Sequence, residues 1–236
     1  MGVKRFFLKV FSFTLGTLIS RITGLFREMV FAFLFGASYA TDCFNVAFRI
    51  PNLLRDMFSE TALSAAFVPT FCEKMKKGEK KELHLFASNV LNFLLLAVGM
   101  LTLLLIIFAP YVVKIISLGF SKESTKYLLT LKLTKIMLPF LFFISLASWA
   151  MGILISYGYF FISAFASSVF NIISILIPLI TYSLFLKAHL EPIFSMAYGV
   201  LFGSIFQFLF LLPDIFVLQF HLVQTTTLFL FLLLHH

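Results

Sequence analysis

Apolar residues along this chain gather into six long blocks, each interrupted by a short polar stretch. A helix that crosses a bilayer needs about 20 apolar residues, and each block reaches or exceeds that length. The pattern predicts spans over 10–35, 43–71, 85–116, 127–155, 160–186 and 193–212. Pro51 is expected to kink the second span, and Pro178 lies inside the fifth. The first block follows Lys4, Arg5 and Lys9, as in a signal peptide, but no small-x-small cleavage site follows it. It is therefore read as an uncleaved first span.

Composition agrees with a lipid environment. Of 236 residues, 61% are hydrophobic and 34 are phenylalanine, against about 45–50% apolar in soluble domains. A soluble core cannot hide so much apolar surface. The expected fold class is all-α: a polytopic membrane protein with a six-helix transmembrane lobe over 1–213. An atypical apolar tail covers 214–236.

The net charge of +8 does not form one basic stripe, so nucleic acid is not an expected partner. The basic residues flank apolar spans and set orientation instead. Lys4, Arg5 and Lys9 lie before the first span; Lys74, Lys76, Lys77, Lys80 and Lys81 lie between the second and third. The opposite loops hold Lys122, Lys126 and Lys187, while Lys114, Lys132 and Lys135 near span ends on that side soften the contrast. The bias places the N-terminus in the cytoplasm. Cys43 and Cys72, if on one helix, stand roughly 43 Å apart, too far for a disulfide. His84, His189, His221, His235 and His236 are scattered, and no metal site or cofactor is expected.

Charge changes the picture most inside the first two spans. They contain Arg21, Arg27, Glu28, Arg49, Arg55, Asp56 and Glu60, with Asp42 between them. From Ile136 to Pro213 the charged residues are Lys187 and Glu191, both in a loop. One charge at mid-membrane costs roughly 2.5–3.5 kcal/mol on insertion scales, so these two helices must face a polar cavity or one another. Mutual pairing is one reading: Arg21 and Glu28, and Arg49 and Asp56, are spaced to share helix faces. An anion site is the sharper one. The bases within these spans are all arginine, whose fork matches phosphate oxygens two at a time. Arg21, Arg27, Arg49 and Arg55 are thus candidate substrate-binding residues. Glu28, Asp42, Asp56 and Glu60 are candidate supporting or gating acids. No phosphate-binding loop, GxSxG or HExxH motif is present. The expectation is a transporter and not an enzyme, driven by a gradient or the membrane potential.

The segment Ser20-Arg21-Ile-Thr-Gly24-Leu-Phe-Arg27-Glu28 resembles the first-helix motif of the MurJ/MviN family. Gly36 to Asp42, Ala47 to Arg55 and Phe58 to Pro69 resemble its second-helix motif. Gly152 to Gly158, Asn171 and Ala197 to Gln207 are similar more weakly. The resemblance, over about Lys4 to Pro213, implies a flippase of the multidrug/oligosaccharidyl-lipid/polysaccharide exporter superfamily. It would carry lipid II, the undecaprenyl-pyrophosphate-linked disaccharide-pentapeptide of peptidoglycan synthesis, across the bacterial inner membrane. It implies two six-helix lobes around a cationic cavity, of which this chain matches the N-terminal lobe. Arg21, Arg27 and Arg55 match family arginines important for function, Asp42 and Glu60 match acidic positions, and Arg49 stands where lysine is frequent. The chain departs from the family in length and in its tail, which marks 214–236 as a truncation or frameshift, or the chain as one gene of a split pair. Expected partners are lipid II, membrane lipids and a separately encoded second lobe. The alternatives are an exporter of another lipid-linked polysaccharide or of drugs, and a fragment that transports nothing.

Overall fold

A computed structural model describes residues 3–57, 63–78, 80–117 and 125–218. Within them the chain forms α1 (Val3–Phe35), α2 (Tyr39–Arg55), α3 (Leu63–Lys77), α4 (Lys80–Ile107), α5 (Ala109–Ile116), α6 (Thr125–Met137), α7 (Phe140–Tyr157), α8 (Phe160–Lys187) and α9 (Ile193–Val217). No strand occurs among the described residues. The protein is an all-α, multi-pass membrane fold. Among the described residues, four stretches are long and apolar enough to cross a bilayer: Lys80–Ile107, Thr125–Tyr157, Phe160–Lys187 and Ile193–Phe216. At 33 residues, α1 extends about 50 Å, also enough to cross.

Prolines explain where helices depart from the expected spans. The third span breaks at Phe108, with Pro110 entering the first turn of α5, where a missing N–H costs nothing. The fourth breaks at Leu138–Pro139, giving α6 and α7. Pro51 and Pro178 are instead buried inside continuous helices. The second span is divided into α2 and α3, with 58–62 between them outside the described residues. The sixth runs past Leu212 and through Pro213 to Val217, because Leu211 and Ile215 both pack in the core and hold that turn in register.

The centre of the lobe is α7. In the most apolar window of α6–α7, 72% of the residues are buried within the protein, against 17% for α4. The α7 side chains Leu146, Trp149, Ile153 and Leu154 join Phe67 and Phe71 of α3, Leu94 and Val98 of α4, and the end of α9. Trp149 Nε1 donates to the Ala87 carbonyl at 3.1 Å, which ties α7 to α4. A second core joins Cys43, Phe44 and Ala47 of α2 to Leu129, Leu133 and Met137 of α6, with Ile193, Ala197 and Val200 of α9. Cys43 and Cys72 are both free thiols.

Close approach of α8 to its neighbours depends on glycine. A Cβ on Gly203 would lie 2.6 Å from Ser174 Oγ and 2.9 Å from the Phe170 carbonyl. One on Gly16 would lie 2.8 Å from Ala164 Cβ, and one on Gly24 would lie 3.4 Å from Asn171 Nδ2. Small residues of this kind let membrane helices pack backbone to backbone. They bring α1 and α9 onto α8, and with them the polar side chains described next.

Candidate functional site

Arg27 of α1 and Arg55 of α2 come together on one cavity of about 310 Å³. Its lining also includes Ser20 of α1, Ile144, Ser148 and Met151 of α7, Asn171 of α8 and Gln207 of α9. The arginines are 28 positions apart in sequence, and α7, α8 and α9 supply the wall that unites them.

Arg27 is held from three sides. Its Nη2 donates to Glu28 Oε1 at 2.6 Å, its Nη1 donates to Asn171 Oδ1 at 3.4 Å, and its guanidinium carbon stands 5.6 Å from the Phe170 ring centroid. The Nε–H is buried and has no partner among the described residues. A guanidinium so placed retains donor capacity for an anion. Asn171 donates in turn to the Ser20 carbonyl at 3.1 Å and to Thr23 Oγ1 at 3.3 Å, so its amide is fully engaged in pinning α1 to α8. Arg55 donates through Nε and Nη2 to Asp56 Oδ1 at 3.1 and 2.8 Å. Its side chain is 29% exposed and that of Arg27 is 20% exposed, whereas Glu28 and Asp56 are 61% and 53% exposed. The arginines are thus drawn inward and their acids stay at the edge.

Among the described residues of α1 and α2, Arg27 pairs with Glu28 and Arg55 with Asp56, sequence neighbours and not residues seven positions apart. The long arginine and short carboxylate reach each other around the helix more easily than along two turns of it. Arg21 and Arg49 are exposed and lie outside this cavity. Asp42 is exposed in the first turn of α2, where the helix dipole favours a carboxylate. Glu60 lies outside the described residues. At the same end of the lobe, the Tyr39 hydroxyl donates to Glu191 and joins the start of α2 to the α8–α9 loop.

The sequence reading of candidate site residues missed Asn171 and Gln207. A signal for both was present: they are the only Asn and Gln between Ile136 and Pro213. A second cavity of about 270 Å³ shares Ser20, Ser148, Met151 and Ser167 with the first and extends it towards Phe13. Three of its hydroxyls, those of Thr17, Ser148 and Ser163, donate to backbone carbonyls four residues earlier, of Phe13, Ile144 and Tyr159. At the opposite sequence boundary of α3, Lys74 pairs with Glu82 at 3.2 Å and Lys77 with Glu73 at 2.9 Å. The hydrogen bond from Lys77 holds the Glu73 carboxyl below its usual range.

Comparison with known proteins agrees with this architecture. The family model described as lipid II flippase MurJ matches residues 31–230, which carries the match past Pro213, where the motif resemblance ends. A probable lipid II flippase MurJ of Buchnera aphidicola (subsp. Schizaphis graminum) is 40% identical over 204 residues, covering 86% of this chain and 39% of that protein. The lipid II flippase MurJ of Burkholderia cenocepacia is 37% identical over 200 residues, covering 84% and 38%. A solved lipid II flippase MurJ in an inward closed conformation superposes with a TM-score of 0.70 at 33% identity, covering 86% of this chain and 41% of that one. The chain spans about two fifths of the length of the relatives it matches. With the family model covering most of its residues, the chain belongs to the lipid II flippase MurJ family.

Proposed function

We propose that this chain acts as the N-terminal lobe of a flippase that moves lipid II across the bacterial inner membrane, with its N-terminus in the cytoplasm. The observation that carries the reading is the convergence of Arg27 and Arg55 on one polar cavity inside an apolar lobe. Two guanidiniums offer several N–H donors in fixed planes, which suits the oxygens of a pyrophosphate. Glu28 and Asp56 hold the guanidiniums when no phosphate is present. They give the arginines alternative partners as substrate arrives and leaves. A cavity of this size takes the charged linkage and not a whole disaccharide-pentapeptide. The head group beyond the sugar next to the pyrophosphate would occupy space between this lobe and a second one. Arg21, Arg49 and Asp42, exposed on α1 and α2, would face that shared space.

Alternating access needs two bodies that rock about a site. In this reading a second lobe is required, either continuous with this polypeptide or separate from it. Energy comes from a gradient or the membrane potential, since no nucleotide-binding motif occurs in the sequence. The test is binding of lipid II to the chain in lipid nanodiscs. Arg27→Ala and Arg55→Ala are each expected to weaken it by about 1.5–3 kcal/mol, the worth of a hydrogen bond to a charged group. Parental affinity in both variants, with folding matched, would rule out the cavity as the pyrophosphate site.

A further inference from the structure

Gln207 of α9 lines the same cavity at 2% exposure, yet its side chain makes no hydrogen bond among the described residues. This sets it apart from Asn171 and Ser148 in the same lining; the small hydroxyls of Ser20 and Ser167, like it, make no hydrogen bond among the described residues. Asn171 uses both ends of its amide on α1, and Ser148 donates to the Ile144 carbonyl. Among the described residues, the sealed side-chain polar atoms without partners are Arg27 Nε, Thr102 Oγ1 and Ser168 Oγ. The Gln207 amide is not among them, because it opens onto the cavity. A buried carboxamide without a partner is costly, and a ligand that supplies the partner offsets that cost.

The chemistry of the lining indicates what the partner is. Arg27 and Arg55 only donate, so they read phosphate oxygens. A carboxamide both donates and accepts, and its complement is a neutral group that does the same, such as a sugar hydroxyl or acetamido group. We propose that Gln207 is a specificity-determining residue that hydrogen-bonds the sugar attached to the pyrophosphate, so that the cavity selects a glycosylated isoprenyl pyrophosphate over the bare one. This rests on the pyrophosphate reading above. α9 thereby reads the part of the ligand that α1 and α2, with their arginines, do not.

The experiment titrates the full chain in nanodiscs with two probes, lipid II and undecaprenyl pyrophosphate. The parent is expected to bind both and to prefer lipid II. Gln207→Leu should lower the ratio of the two affinities by about threefold to tenfold, the worth of one hydrogen bond. Gln207→Asn, which draws the amide back by one carbon, should lower it too, and it decides the matter if the leucine variant fails a thermal-melting check. An unchanged ratio in the folded variants overturns the proposal, as does a parent that binds the two probes equally. Failure of the underlying reading looks different: the parent binds neither probe, or Arg27→Ala and Arg55→Ala leave undecaprenyl pyrophosphate binding intact. Either result removes this inference together with that reading.

Discussion

At the scale of the residue, the decisive contrast is between arginines that turn inward and those that stay exposed. Arg27 is enclosed by Glu28, Asn171 and Phe170, and its hydrogen bonds to Glu28 and Asn171 use the two arms of the guanidinium fork. Lysine in its place keeps the charge and loses the fork. Arg27→Lys is therefore expected to raise the Kd for undecaprenyl pyrophosphate by about tenfold, the worth of roughly 1.4 kcal/mol, measured by titration in nanodiscs. Binding at parental strength would mean that charge alone suffices there. Asn171 offers a related lesson. Its three hydrogen bonds cross from α8 to α1, so a residue of no net charge orients one that carries it.

At the scale of the element, the site depends on how closely α1 lies against α8. Gly16 and Gly24 both face that helix, the first against Ala164 and the second against Asn171. Overpacking such a contact typically costs about 1–3 kcal/mol. Gly16→Leu is expected to lower the melting temperature and the folded yield in detergent, because its clash is with a short side chain and backbone that cannot give way. Gly24→Leu should lower the yield and also weaken pyrophosphate binding, since the group it displaces is the one that orients Arg27. Thermal melts and the nanodisc titration separate the two effects. A Gly24→Leu protein with parental stability and parental binding would show that this contact does not matter.

At the scale of the whole molecule, the predictions concern topology and completeness. A cysteine placed at Gly78, with Cys43 and Cys72 replaced by alanine, is expected to be shielded from impermeant thiol reagents in intact cells and labelled after permeabilisation. Labelling from outside would invert the orientation. On the proposed two-lobe reading, residues 1–236 expressed alone in cells depleted of their own lipid II flippase are expected not to sustain growth, because alternating access needs a second body to rock against. Sustained growth and wall synthesis at ordinary expression would show that a single lobe suffices. The apolar exterior of α4, with Phe93, Met100, Leu103 and Ile107 exposed, is what a helix facing lipid presents. The exposed charges on α1 and α2 are not.

Most of the architecture was legible in the sequence for one reason: a bilayer demands long apolar segments, and these can be counted along the chain. The span order and the concentration of charge in the first two spans both follow from local sequence. Helix interruptions were only half legible. Proline marks where a break is possible, but the chain breaks α6 from α7 at Pro139 and runs on through Pro51 inside α2, a difference that the proline alone does not encode. The identity of the charged residues near the site could be read in advance, but their grouping could not. Arg27 and Arg55 share a cavity while Arg21 and Arg49 lie outside it, and no spacing rule separates the two pairs. That division is made by α7, α8 and α9, which come from distant parts of the chain and close around two of the guanidiniums. The same long-range packing turns Asn171 and Gln207 from isolated polar residues in apolar helices into parts of one site: a side chain's partners are set by the helices packed against it, and only the folded chain determines which those are.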